Sequence, residues 1–323
     1  MEPIINKKEI NLAVLGMVDG NGHPYSWSAI VNGYNKEFMK DCPFPVIPKY
    51  LDQQPEESFG IPGVKVTHIW CDDPEDAKKV AAASKIENIV SRPEDVIGEV
   101  DAVIIPTDKG WEHVDRCRPF VEAGLPIFVD KPMTDNLQDL NIFLDWMKNG
   151  AHILSSSSMR YSKNLVPYHK GHNYEIGELR YVFASMPKTW ERYGIHSMEG
   201  IFPMTGPGYQ TVQNTGSAGR DIVHLTHKDG FDAIVTAIYD CSSGIYLAGT
   251  DGVIHPGPGA TFEAFKTQLV KYVNYLRTGE RPFPLSETVE LMKIIAAGIM
   301  SREQDGKKIY LDDLEVNDEW ISR

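Results

Sequence analysis

A six-residue apolar run at 10–15 leads directly into Gly16 and a loop that also carries Gly20 and Gly22, and no other feature constrains the fold as much. Strand, glycine loop and helix in that order form the first unit of a parallel sheet with crossover helices. The helix is expected from near Ser26, after a loop at 17–25. A second strand at 64–71 ends at Asp72, and Asp73 is placed to cap a helix whose first turn holds Pro74, Glu75 and Asp76. Buried strands are expected at 100–105 and 125–129, on either side of a helix at 110–123 that contains Pro119. The proline-rich stretch 36–63 reads as an ordered excursion between helix and strand. Such a connection belongs at the sheet edge opposite the ligand crevice, so stability or assembly is its expected role.

The pattern changes in the second half. Leu137, Leu140, Phe143, Leu144 and Met147 share one helical face that ends near Gly150, and a short strand follows. Strands are then expected at 179–185, 221–226, 231–239 and 244–248, with His227-Lys228-Asp229-Gly230 as a hairpin turn. Two amphipathic helices close the chain. One carries Phe262, Phe265, Leu269, Tyr272, Val273 and Leu276, the other Val289, Met292, Ile295, Ala296 and Ile299. The expected fold class is an α/β domain over 1–132 followed by an α+β domain over 133–323, with a largely antiparallel open sheet that binds substrate and supports oligomers.

Composition narrows the function. With 323 residues, 42% hydrophobic and 24% charged, the chain describes a soluble globular protein of two domains. A net charge of -13 without clustered lysine and arginine excludes a general nucleic-acid binder. The first nine residues hold Lys7 and Lys8 but no long apolar segment, and no run reaches membrane-span length, so a cytoplasmic protein is expected. Cys42, Cys71, Cys117 and Cys241 are dispersed, without CxxC spacing, and read as buried free thiols. Neither the His113–Cys117 pair nor the His224–His227 pair has further ligands, so no metal is assigned. The serine run 155–158 lacks the elbow glycines of a hydrolase nucleophile.

Two marks point to an enzyme. In Asp130-Lys131-Pro132 a lysine follows a buried strand and can present its ammonium to a reacting oxygen. In Tyr193-Gly194-Ile195-His196 a histidine can take or return a proton near neutral pH. The competing roles are a surface salt bridge for Lys131 and a core or helix-start residue for His196.

Together with Ile176-Gly177-Glu178-Leu179-Arg180 and Arg281-Pro282-Phe283-Pro284, these marks resemble the Gfo/Idh/MocA family of nicotinamide-dependent sugar and polyol oxidoreductases, over nearly the whole chain. The resemblance implies a Rossmann domain, then a domain whose open sheet supports a homodimer or homotetramer. It implies NAD in preference to NADP and a carbohydrate-like substrate, with no nucleic-acid or membrane partner. Lys131 would stabilise the reacting oxygen and border the cofactor, and His196 would act as general base on the alcohol. Gly16, Gly20, Gly22 and His23 would flank the pyrophosphate, Asp72 would accept from the adenosine ribose, and Thr107 would border the nicotinamide ribose. The competing roles are geometry alone for the glycines, solvation for His23 and helix capping beside Asp73 for Asp72.

The chain departs from the family pattern twice. The glycines run Gly16, Gly20, Gly22 where the family usually has GxGxxG, and Asp19 would repel a phosphate it faced. The family's aspartate four residues before the histidine is replaced by Arg192. A guanidinium opposes imidazole protonation, so Glu191 or Glu199 is expected to supply the carboxylate, or Arg192 to bind an anionic substrate group. Arg160 is open to anion contact or a structural bridge, and Tyr161, Trp190 and Tyr193 to sugar-ring contact or packing. Two further readings are an NAD-assisted lyase or glycosidase without net redox change, and a non-catalytic nucleotide- or sugar-binding protein.

Overall fold

A computed structural model describes residues 2–170, 175–257 and 259–321. The first sheet is wholly parallel, in the order β3-β2-β1-β4-β5-β6. Its strands are β1 (Ile10–Leu15), β2 (Val64–Trp70), β3 (Asn88–Ile89), β4 (Ala102–Ile105), β5 (Ile127–Val129) and β6 (Ile153–Leu154). The helices between them are α1 (His23–Asn32), α2 (Lys36–Met39), α3 (Val46–Leu51), α4 (Pro74–Ser84), α5 (His113–Glu122) and α6 (Leu137–Lys148). As expected, β1 is apolar and opens on Gly16, and Asp73 caps α4 by accepting from the Glu75 amide at 2.8 Å. Strand order reverses between β1 and β4, which places the ligand crevice outside the carboxyl ends of those two strands.

The second sheet has the order β12-β11-β7-β10-β9-β8-β13. It comprises β7 (Leu179–Met186), β8 (Tyr209–Asn214), β9 (Arg220–His227), β10 (Asp232–Ile238), β11 (Gly244–Gly249), β12 (Val253–Ile254) and β13 (Ile309–Tyr310). Its pairs are antiparallel except β10 with β7. Three helices accompany it: α7 (Ile195–Thr205), α8 (Thr261–Thr278) and α9 (Leu285–Glu303).

The structure corrects three expectations. Helix α1 begins at His23, three residues before Ser26, because the Asn21 side chain accepts from the His23 amide at 2.9 Å and Pro24 preorganises the first turn. The first domain does not stop at 132, since β6 extends its sheet to Leu154, and α8 lays Phe262, Leu269, Tyr272, Val273 and Leu276 into the core of the face that α1 and α4 cover. The excursion 36–63 does not stay away from the crevice. It packs α2 against α4 and α3 against α8, and Phe44 and Ile47 close over Gly22 at the mouth of the glycine loop.

Candidate active site

The glycine loop turns at Gly16 (φ 111°), whose missing side chain admits the Arg116 guanidinium and the Thr107 methyl. Gly20 is also left-handed, at φ 75°. Gly22 serves packing under the excursion and not a close approach to a ligand, since a Cβ there would lie 2.6 Å from both Phe44 and Ile47. Among the described residues, the amides of Val18, Asp19 and Gly20 bond to no other group of the chain, while Asp19 faces solvent. Asp72 accepts from the Met17 amide at 3.0 Å and from Arg116 at 2.8 Å, so its carboxylate is braced and partly neutralised from within the chain. Thr107 is buried, and its hydroxyl and carbonyl oxygens meet His113 Nε2 at 3.1 and 2.9 Å.

Lys131 ends the turn after β5 and is buried to 2% exposure. Its ammonium lies 3.4 Å from Asp130 and 3.7 Å from Asp108. Burial opposes the charge, but the two carboxylates outweigh it and raise the lysine pKa above its ordinary value. Lys131 is therefore charged at neutral pH and acts as a hydrogen-bond donor. His23 Nδ1 stands 3.0 Å from Asp130, its ring stacked on Trp27 at 4.3 Å. Asn21 completes this floor by donating to the Pro106 carbonyl at 2.9 Å.

The second domain brings Lys188, Arg192, Tyr193 and His196 over that floor. Tyr193 meets the His196 ring edge-on at 4.8 Å, with the Lys131 ammonium 5.2 Å from its own ring. His196 Nδ1 lies 2.6 Å from Ser157 Oγ. Burial and the Lys131 charge push the histidine pKa well below its usual value, so the ring is neutral at physiological pH.

Among the described residues Ser157, and not a carboxylate, holds the His196 ring, and the nearby buried acid, Asp108 of the first domain, is engaged by Arg192 and Lys131. Arg192 bonds Asp108 at 2.7 Å and the Asp19 carbonyl at 3.0 Å. Burial raises the Asp108 pKa, but Lys131 and Arg192 overcome it and leave the group ionised. Glu191 and Glu199 do not substitute for the missing aspartate: Glu191 pairs with Arg302 and Glu199 with Arg160. Asp108 carried no sequence signal beyond its place two residues after a proline at a strand end.

Three expected substrate contacts also lie elsewhere. Trp190 is fully buried between Gly194 and Gly298 and donates to the Ile295 carbonyl, a core role. Arg160 is buried, ion-paired with Glu199 and Glu287, and stacked on Phe283, which makes it a structural bridge. Tyr161 points its hydroxyl at Ser156, 3.5 Å away. Of the expected substrate residues, only Arg192 and Tyr193 stand with Lys131 and His196. Glu199 remains relevant at one remove, since its other oxygen accepts from the Ser157 amide at 3.2 Å and so holds the serine that orients His196.

Residues 45–157 match the model of an oxidoreductase family with an NAD-binding Rossmann fold, Gfo/Idh/MocA. That match covers about a third of the chain, within its first sheet and helices. No curated protein matches the chain by sequence. Among solved structures it is similar to GenD2 of gentamicin A biosynthesis in complex with NAD, at 13% identity and TM-score 0.73, with 94% of this chain and 97% of that chain covered. It is also similar to myo-inositol 2-dehydrogenase of Lactobacillus plantarum (16%, TM-score 0.71, coverage 94% and 99%). A third is the myo-inositol dehydrogenase of Corynebacterium glutamicum (16%, TM-score 0.69, coverage 94% and 99%). These likenesses show that the fold extends over both domains. The matched Gfo/Idh/MocA segment starts after the glycine loop, where this chain departs most from GxGxxG.

Proposed function

We propose that this protein is an NAD-dependent dehydrogenase that oxidises a CH–OH group of a sugar, polyol or sugar acid, and reduces the corresponding carbonyl in reverse. The observation that carries this reading is the convergence of a charged lysine and a neutral histidine from two domains at the carboxyl ends of β1, β4 and β5. The loop fits a dinucleotide, because the left-handed turn at Gly16 and the unbonded amides of Val18 to Gly20 suit a pyrophosphate. Asp72 would take the adenosine ribose and Thr107 would border the nicotinamide ribose. When bound, the nicotinamide supplies hydride acceptance and return.

The chain's own residues do the rest. Lys131 donates to the substrate oxygen and stabilises negative charge as it develops there. His196 accepts the hydroxyl proton at Nε2, a role that needs Nδ1 to hold its proton toward Ser157 Oγ. That oxygen already accepts from the Met159 amide at 3.1 Å and has a second lone pair free for the imidazole. Asp108 keeps Lys131 charged and ties down Arg192, and Tyr193 with Lys188 roofs the site. A thermal-shift screen with NAD, NADH and NADP, followed by nicotinamide absorbance assays on a polyol and uronate panel, tests the proposal. Binding with no turnover on any substrate would overturn it in favour of a binding protein.

A further inference from the structure

We infer that the substrate carries an apolar substituent, and that a separate cavity beside the reacting groups receives it; this rests on the dehydrogenase reading above. A cavity of about 270 Å³ opens between the end of β7, the start of β11 and the start of α8. The apolar part of its lining is Met159, Leu165, Met186, Ile245, Pro256 and Ala264. Ser158, Ser162, Ser243, Thr261 and His255 supply its polar positions, and the His255 ring is pinned by a 2.6 Å contact of Nδ1 with the Ile245 carbonyl.

Three connections join this cavity to the candidate site. Ser157, which holds His196, is followed directly by the lining residue Ser158. Met186 ends β7 two residues before Lys188, which roofs the site. Gly200 lies one helical turn beyond His196 on α7, and a Cβ there would meet Ile245, Met159 and Leu165 at 3.1, 3.5 and 3.7 Å. A residue without a side chain therefore keeps open the wall that the catalytic helix shares with the cavity.

Aliphatic and thioether surface exceeds the polar surface of this lining, so a largely apolar group gains more there than a free polyol, most of whose hydroxyls would lose water without a partner. An aryl or branched-alkyl group fits in size, because a 150 Å³ apolar cavity accepts benzene. Two methionines in the wall allow the lining to adapt to its shape. The substrate class is thus a sugar or polyol conjugate, such as an aryl glycoside, whose polar ring faces Lys131 and His196.

Proton–carbon NMR of methionine methyl groups reads the cavity without turnover. Phenyl β-glucoside, and phenol alone as a fragment, should shift Met159 and Met186, whereas methyl β-glucoside should not. Burial of the ring should tighten the phenyl over the methyl glycoside by about ten- to a hundredfold. Ala264→Leu should abolish the shifts, and Leu165→Ala, which enlarges the chamber, should favour naphthyl over phenyl probes. NADH affinity and thermal midpoint report whether each variant is folded. No methionine shift with either phenol or the phenyl glycoside, or equal affinity for phenyl and methyl glycosides, would overturn the cavity assignment. Methionine shifts without nicotinamide turnover would uphold it and sink the dehydrogenase reading.

Discussion

At the scale of single residues the site depends on keeping one group charged and one neutral. For His196, the folded pKa lies below the usual 6.5. The unfolded chain binds more protons between those two values, so folding stability rises with pH across that window and falls on acidification below about 6.5. Alcohol oxidation should share that direction, with its acid limb under 6.5, and His196→Ala should cut single-turnover rates about 10²- to 10⁴-fold at nearly unchanged cofactor affinity. A wild-type rate in folded His196→Ala would remove the assignment. Asp108 is a positioning residue with a separate signature. Asp108→Asn takes away one of the two carboxylates that raise the Lys131 pKa, so the alkaline limb of the pH–rate profile should move to lower pH. An unmoved limb with a merely reduced rate would leave Asp108 a structural partner of Arg192. A third expectation concerns the cofactor. Arg116 partly neutralises Asp72, so Arg116→Gln should free that carboxylate and widen the preference for NAD over NADP, read as the ratio of dissociation constants by titration calorimetry.

The elements show where sequence reading succeeds and where it stops. Strands and long helices with regular apolar spacing were legible, since a buried face imposes its period on the sequence: β1, α4, α8 and α9 lie close to where their residues placed them. Strand β8 was not, because Tyr209–Asn214 is mostly polar and its side chains answer to local partners, such as Asn214 donating to Asp221. Helix α7 was hidden by its internal Pro203 and by burial on nearly every side, which leaves no polar face to mark it. Lys131 and His196 were found because each follows a recognisable mark, whereas Asp108 and Ser157 matter through distances between elements that no local pattern encodes. The excursion 36–63 is a case of the same kind. Its packing on Gly22 predicts that Gly22→Ala loses about 1–3 kcal/mol of stability through overpacking against Phe44 and Ile47. Gly20→Ala, strained at φ 75° but with no atom closer than 3.8 Å, should mainly weaken cofactor binding. Thermal melts and calorimetry on the two variants separate packing from ligand approach, and equal melts would dismiss the distinction.

At the scale of the whole molecule, the second sheet has one face on helices and, among the described residues, one that no helix covers. The inner residues Val182, Ala184, Val223, Leu225, Ala233, Val235 and Leu247 are all buried. On the outer face the register aligns Tyr246, Phe183, Ile234 and His224 in one row across β11, β7, β10 and β9. Three of those four are large hydrophobic residues on neighbouring strands, all half-buried, and Tyr181 and Ile222 beside them are exposed. An antiparallel sheet can face water on one side, but its solvated face then carries mostly polar residues, which this row does not. We expect a homo-oligomer assembled through this face, with a light-scattering mass that is a multiple of 36.2 kDa. Phe183→Asp places a charge in the middle of the row without touching the inner core, so it should give a folded monomer with unchanged far-ultraviolet circular dichroism. A wild-type protein that is monomeric at assay concentration, or a Phe183→Asp protein of undiminished mass, would place the contact elsewhere and leave this face to solvent.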